Sequence, residues 1–265
     1  MSADNLPESE YDKVGDFYFG WLEKHGADRD VRIDSTVEII LSMLGNVDGR
    51  RVCDLACGEG YLSRILASRG ARVTGVDISR ILLDHAREHS QQKNISYVLD
   101  DAQSLSRITT ASMDAVVCNM ALMDIPDLSA TFASVRRILV DSGIFVFHIL
   151  HPCFFTPFNV DIPTLDLDGN GNFKALRVSR YGLEGKWYSG GIGMCGTLGS
   201  YHRMISTYLN ALAVNGFRLV QLHEPLAPLE NTESTIPQVD SVVPSNMMVK
   251  SDALPLENSR RQKAV

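Results

Sequence analysis

Along residues 51–150 the apolar positions alternate between two patterns. Short, nearly continuous apolar runs at 51–56, 72–77, 95–99, 113–119 and 144–150 have the length of strands buried on both faces. Other segments carry apolar residues every three or four positions: Leu62, Ile65 and Leu66; Ile81, Leu82, His85 and Ala86; Leu128, Phe132, Val135, Ile138 and Leu139. That spacing puts a stripe on one face of a helix. Gly70 stops the first of these helices, Ser79 caps the second, Pro126-Asp127 opens the third, and Gly143 turns the chain into the fifth strand. Strand and helix in alternation over this length predict a parallel sheet covered on both faces.

The flanks read differently. Tyr11, Phe17, Tyr18 and Trp21 predict a helix over 10–24, and Val37, Ile40, Leu41 and Leu44 a second over 31–44, broken by Gly49. Residues 151–200 are rich in glycine, proline and aromatic side chains. Helical spacing resumes over 201–215 and ends at Gly216; strands are expected at 217–223 and 246–251. The division expected is an N-terminal helical lid at 1–50, a main domain at 51–251 with a substrate-lid insertion at 151–204, and a flexible tail at 252–265.

Composition narrows the class. The 265 residues are 45% hydrophobic and 22% charged, a globular mixture that can build a core without a metal or disulfide staple. With 25 basic and 32 acidic residues the net charge is −7, which argues against nucleic acid or an anionic membrane as the main partner. No apolar run approaches the ~18–20 residues of a membrane span. The acidic, polar residues 1–13 are unlike a signal or transit peptide. Five cysteines without framework spacing fit reduced thiols in a cytoplasm.

The chemistry concentrates after the first strand, in Val52-Cys53-Asp54-Leu55-Ala56-Cys57-Gly58-Glu59-Gly60. Glycines there let backbone approach a ligand, and the next helix offers free N–H groups. Asp77 ends the second strand, where a carboxylate can accept both hydroxyls of a ribose. Asp101-Ala102 follows the third, where an acid can accept from an adenine amino group. A dinucleotide site wants a third glycine, and that position is Ser63. Acids at Asp54 and Glu59 disfavour a pyrophosphate and suit a cofactor that carries an ammonium group and no phosphate.

Asp54-Leu55-Ala56-Cys57-Gly58-Glu59-Gly60, Val76-Asp77-Ile78-Ser79, Asp100-Asp101-Ala102 and Asp114-Ala115-Val116-Val117-Cys118-Asn119-Met120 together resemble the successive motifs of class I S-adenosylmethionine-dependent methyltransferases, in order and spacing over 51–150. The resemblance implies a Rossmann-like, doubly wound α/β fold whose seven-stranded sheet runs 3-2-1-4-5-7-6 with strand 7 antiparallel. It implies S-adenosylmethionine as cofactor: Asp54, Ala56, Gly58 and Gly60 along its methionine and ribose, Asp77 and Ile78 at the ribose, Asp101 and Ala102 at the adenine, and Asn119 and Met120 beside the methionine end. It also suggests an N-terminal helix closing over the cofactor, with Tyr11 and Tyr18 on one face. That face is open to two readings, attraction of the sulfonium or plain packing.

Ligands of such sheets bind beyond the carboxyl ends of the strands. His151-Pro152-Cys153-Phe154-Phe155 leaves the fifth strand there, and eight of the twenty aromatic residues lie between 151 and 201. Phe154, Phe155, Trp187, Tyr188 and Tyr201 are therefore candidate substrate contacts, in a segment that reads as a lid, a satellite core, or both. Arg203 is a candidate for an acidic substrate group or for Glu184. His151, by its rigid placement before Pro152, and His202, in Tyr201-His202-Arg203 at a helix start, are the candidate bases. His148, inside an apolar strand, reads as core. No metal is expected: Asp166-Leu167-Asp168-Gly169-Asn170-Gly171 begins like a calcium loop, but position twelve is Arg177. His148, His151 and Cys153 lack a fourth ligand at a recognisable spacing. The function expected is methylation of an oxygen or nitrogen of a small aromatic or apolar molecule; the alternatives are a nucleic-acid or protein methyltransferase and a silent cofactor-binding partner subunit.

Overall fold

A computed structural model describes residues 9–15, 35–154, 165–188, 197–226 and 242–255. The main sheet contains β1 (Arg51–Leu55), β2 (Arg72–Asp77), β3 (Ile95–Leu99), β4 (Met113–Asn119), β5 (Leu139–Leu150), β10 (Phe217–His223) and β11 (Asn246–Ala253). Its order is β3-β2-β1-β4-β5-β11-β10. The first five strands are mutually parallel, and β11 runs antiparallel to both β5 and β10. The order and the reversed last strand are those expected. The helices are α1 (Ser35–Leu44), α2 (Tyr61–Ser68), α3 (Arg80–His89), α4 (Leu128–Ile138) and α5 (Ile205–Val214). Short strands β6 (Leu165–Leu167), β7 (Phe173–Leu176), β8 (Gly185–Trp187) and β9 (Ser200–His202) form two further ladders between β5 and α5.

Each face of the sheet has its own core, because alternate residues of one strand point opposite ways. Phe145 and Phe147 join Phe132, Val135 and Ile138 of α4 and Tyr208 and Leu212 of α5. Between them in sequence, Val146 faces the other way, toward Val37, Ile40 and Leu44 of α1 and Leu62 and Leu66 of α2. Capping sets two helix starts as the sequence suggests: Ser79 Oγ accepts the Leu82 amide at 3.2 Å, and Asp127 Oδ1 accepts the Ala130 amide at 2.9 Å.

The structure gives the local details of several expected elements. The fifth strand begins at Leu139, directly after α4; the register shifts between Met113↔Leu139 and Ala115↔Ile144. Ser142, with φ 63°, takes the left-handed conformation there, while Gly143 provides clearance, since a Cβ on it would stand 2.9 Å from Leu139 Cδ2. Tyr201 and His202 belong to β9 and precede α5. The last strand continues to Ala253, and the Leu254 amide bonds the Gly216 carbonyl at 2.9 Å, so the expected tail is pinned at its start. The Asp166–Gly171 stretch is a hairpin turn in which Asp168 Oδ1 accepts the amides of Asn170 and Asn172 at 2.8 and 2.9 Å. Of the helix expected over 10–24, Asp12–Val14 form a short 3-10 turn and residues 16–24 lie outside the described residues. Cys53, Cys57, Cys118 and Cys153 are free thiols. Among the described residues no helix is long and apolar enough to cross a membrane.

Phe132 ties α4 to the sheet: it is fully buried, 5.4 Å from the Phe145 ring and 5.7 Å from that of Phe147. Phe132→Ala should lower stability by about 3–5 kcal/mol, read as a fall in the urea midpoint with little change in slope.

Candidate active site

The loop after β1 is held in shape by a carboxylate. Ala56, Gly58 and Gly60 all have positive φ (54°, 55° and 80°), so the chain doubles back above the strand end. Gly60 has no room for a side chain, since a Cβ would meet Tyr97 Oη at 2.3 Å. The Gly58 amide donates to Asp77 Oδ2 and the Ser79 amide to Asp77 Oδ1, both at 2.8 Å. Asp77 thus joins the glycine loop to the start of α3, with Ile78 half-buried between the two amide-bearing turns. Asp54 lies beneath the loop, 1% exposed, with Ser63 Oγ at 2.6 Å from its Oδ2. Burial raises its pKa to about 7, and the charges of Glu59 and Asp77 add to the rise. Burial also raises Asp77. Glu59 pairs with Arg64 at 3.2 Å.

The next two strand ends carry further polar groups. Asp100 holds its own turn, accepting the amides of Asp101 and Arg107 at 2.9 and 2.7 Å. Asp101 is half-buried beside the buried Ala102, its Oδ1 accepting the Gln103 amide at 2.8 Å. Asn119 Oδ1 lies 2.7 Å from His148 Nδ1, and His148 Nε2 lies 2.9 Å from Asn246 Oδ1. His148 therefore cross-links three strand ends, the core role expected for it. Met120, exposed and at φ 56°, follows Asn119 beyond the end of β4. Asp54, Ala56, Gly58, Gly60, Asp77, Ile78, Asp101, Ala102, Asn119 and Met120 all sit at or just beyond the carboxyl ends of β1 to β4.

A segment from the N-terminal region joins the start of α3 to the turn beyond β4. Asp12 Oδ1 accepts from Ser79 Oγ at 2.6 Å and from the Ile81 amide at 3.2 Å. One residue away, Tyr11 Oη donates to Asp124 Oδ2 at 2.8 Å. Tyr11 thus engages a carboxylate beyond β4; Tyr18 lies outside the described residues. Asp124 was not singled out by the sequence reading, although its place in Ala121-Leu122-Met123-Asp124-Ile125, one acid within an apolar run, is a readable signal. Burial pushes its pKa up to about 6 against the hydrogen bonds of Tyr11 and Ser200.

Beyond β5 a cavity of about 30 Å³ is walled by Met123, Leu150, Pro152, Trp187, Ser200, Tyr201, His202, Arg203 and Tyr208. That is room for a water molecule or two. Trp187 pairs with Ser200 across β8 and β9, and Tyr188 next to it is exposed. Phe154 packs on the His151 ring at 4.5 Å between centroids; Phe155 lies outside the described residues.

Both candidate bases are engaged. His151 is 1% exposed; its Nδ1 accepts the Cys153 amide at 3.2 Å and its Nε2 faces Glu224 Oε1 at 2.7 Å. Since Nδ1 accepts, the ring proton sits on Nε2 and points at Glu224. His202 Nε2 faces the Tyr181 carbonyl at 2.8 Å. Arg203 meets neither Glu184 nor an open surface. It is buried and donates to the carbonyls of Leu122, Ile125 and Pro126 at 3.0, 2.6 and 2.7 Å. Glu184 instead caps α5, accepting the Met204 amide at 2.6 Å. Among the described residues no group of three His, Cys, Asp or Glu side chains is placed to hold a metal ion.

Residues 53–147 match a family model described as a methyltransferase domain. A ubiquinone biosynthesis O-methyltransferase from Xylella fastidiosa is 32% identical over 142 residues, covering 52% of this chain and 58% of that one. Another of that description, from Coxiella burnetii, is 28% identical over 157 residues, covering 58% and 67%. The chain thus spans somewhat over half the length of the first of these relatives. Among solved structures, an S-adenosylmethionine dependent methyltransferase from Mesorhizobium loti is 26% identical with a TM-score of 0.70, covering 83% of this chain and 98% of that one.

The three carbonyls on Arg203 give the turn after β4 its shape. Arg203→Ala leaves them without their donor and should cost about 2–4 kcal/mol in chemical denaturation. Arg203→Lys should recover only part of the loss, because one ammonium cannot reproduce the planar fork.

Proposed function

We propose that this chain, whose residues 53–147 form a class I S-adenosylmethionine-dependent methyltransferase domain, transfers a methyl group from S-adenosylmethionine to an oxygen of a small aromatic molecule. The observation that carries the reading is the glycine loop tied to Asp77 and ringed by Asp54 and Glu59. A pyrophosphate would meet carboxylates there, whereas an ammonium or sulfonium would meet opposite charge. Asp77 offers remaining lone pairs for the ribose hydroxyls, beside Ile78, and Asp101 with Ala102 lies one strand further along for the adenine. Gly58, Gly60, Ala56 and Asp54 hold the ribose and methionine portion, with Asn119 and Met120 at its end.

When bound, the sulfonium supplies a methyl group already activated for displacement. The protein's own task is to align the acceptor with it in a dry site. Trp187 and Tyr201 offer the aromatic wall for a ring, with Phe154 and Tyr188 nearer the surface. The cavity's small volume implies that the insertion opens to admit the acceptor. An oxygen acceptor is supported by the O-methyltransferase relatives. His151 and His202, with their ring nitrogens engaged, hold the insertion in place in this reading.

Calorimetry should give binding of S-adenosylmethionine and S-adenosylhomocysteine and none of NAD. Asp77→Ala should weaken that binding by at least about tenfold, since charged hydrogen bonds are each worth about 1.5–3 kcal/mol and the loop loses its anchor as well. Unchanged affinity would remove Asp77 from the site. The acceptor is identified by incubating a metabolite pool with isotopically labelled donor and weighing the labelled product by mass spectrometry.

The Asp54 carboxyl gives a pH signature. Below about pH 7 it is protonated in the free protein, and a cationic ligand favours its ionised form. Binding should therefore release a proton below that pH, and affinity should rise as pH increases through it, then level off. Asp54→Asn should abolish both the proton release and the slope, read by calorimetry in buffers of different ionisation enthalpy.

A further inference from the structure

We propose that Asp124 takes the proton of a neutral hydroxyl acceptor, and that Tyr11 is the residue that positions it. The inference rests on the methyltransferase reading above and assigns the base and the acceptor class within it.

The turn after β4 puts Asp124 directly behind the cavity wall. Its chain neighbour Met123 lines the cavity, as does Ser200, whose Oγ stands 3.4 Å from Asp124 Oδ1. The other oxygen, Oδ2, is held by Tyr11 at 2.8 Å. The two oxygens are thus unequal: one is fixed, and the other, beside the cavity-lining Ser200, has among the described residues only a long contact, made by a hydroxyl that donates better, at 3.1 Å, to the Met123 carbonyl. Asp100 shows the contrast, with both oxygens filled by backbone amides at 2.9 and 2.7 Å. Lys186 of β8 and Arg203 after β9 act on Asp124 only through space, and the guanidinium of Arg203 is engaged by three carbonyls. Among the described residues, Cys118 of β4 and Tyr208 of α5 also feel its charge. A carboxyl raised to about 6 by burial is poised to accept a proton near neutral pH.

This placement selects the acceptor. A carboxylate acceptor has no proton to lose and would be repelled by Asp124. An amine reaches its nucleophilic form by giving a proton to water. A hydroxyl keeps its proton until a base removes it, and Trp187, Tyr201, Tyr208, Met123 and Leu150 shape the wall for a flat ring. The acceptor hydroxyl takes the place at Oδ1 that Ser200 fills only loosely. Its proton passes to the Asp124 carboxylate as its oxygen bonds the methyl carbon, and the pair of the broken carbon–sulfur bond stays on sulfur. The protonated Asp124 returns to the carboxylate by losing its proton to water. Tyr11 enters from a segment that Asp12 moors on Ser79 and Ile81, so the base is complete only with that segment seated.

The test uses the full chain. In the free protein, carbon-13 NMR of labelled aspartate carboxyls follows Asp124, assigned by its disappearance in Asp124→Asn. It should titrate at about pH 6, and at higher pH in Tyr11→Phe, because the phenol's hydrogen bond favours the ionised form. With labelled S-adenosylmethionine and 4-methylcatechol as a neutral acceptor, Asp124→Asn should lose about 10²–10⁴ in kcat while donor affinity and acceptor KM hold. Tyr11→Phe should move the acid limb of the rate profile upward with the titration. Four results overturn the proposal: Asp124 titrating in the ordinary aspartate range, an Asp124→Asn variant that keeps most of the activity, an acid limb that ignores Tyr11→Phe, or no methylation of the catechol by donor-bound wild type. Each leaves the donor site standing; only failure of the wild type to bind S-adenosylmethionine removes the methyltransferase reading itself.

Discussion

The Asp77 carboxylate is the joint on which the site is built. It accepts one amide from the glycine loop and one from the turn before α3, so two segments that the sheet merely brings near each other become one surface. Its place follows from the parallel pairing of β1 with β2, which sets Leu55 against Val76 and leaves Asp77 at the level of the loop. The loop can take that amide geometry because Ala56, Gly58 and Gly60 accept positive φ. The same turn extends the joint outward: Ser79, whose amide rests on Asp77, gives its hydroxyl to Asp12, and Tyr11 beside it reaches Asp124. Hydrogen bonds, joined through the Tyr11–Asp12 backbone, thus run from the glycine loop to the turn beyond β4.

Charge is concentrated in the same place. Asp54 is buried and raised further by the charges of Glu59 and Asp77, while Arg64 pairs with Glu59. In a protein without a cationic ligand such an arrangement is a standing cost, because desolvated carboxylates repel. A cationic ligand relieves that cost on binding. Beyond β5 the guanidinium of Arg203 is taken up by carbonyls, and the cavity it helps to line also carries Trp187, Tyr201, Tyr208, Ser200 and His202.

Most of the fold was legible in the sequence. The five apolar runs, the helical stripes between them, the Ser79 and Asp127 caps and the glycine loop are local signals, set by the periods of strand and helix and by the few residues that tolerate left-handed backbone. The acids at strand ends were legible for the same reason, since a strand that stops at an acid puts it at the carboxyl end of the sheet.

What only tertiary structure decided is the partnership of side chains far apart in sequence. Arg203 and the carbonyls of Leu122, Ile125 and Pro126 are separated by some eighty residues, and nothing local says that a guanidinium will turn away from Glu184 toward them. His151 has the position of a base, but its nitrogens are committed by Cys153, two residues on, and by Glu224, seventy-three residues on. Tyr11 and Asp124 meet across 113 residues, which raised an unremarked acid in an apolar run to a central place. Periodicity fixes which face a residue occupies; which polar atom satisfies another depends on burial and close approach, and those exist only once the sheet has brought its strand ends together.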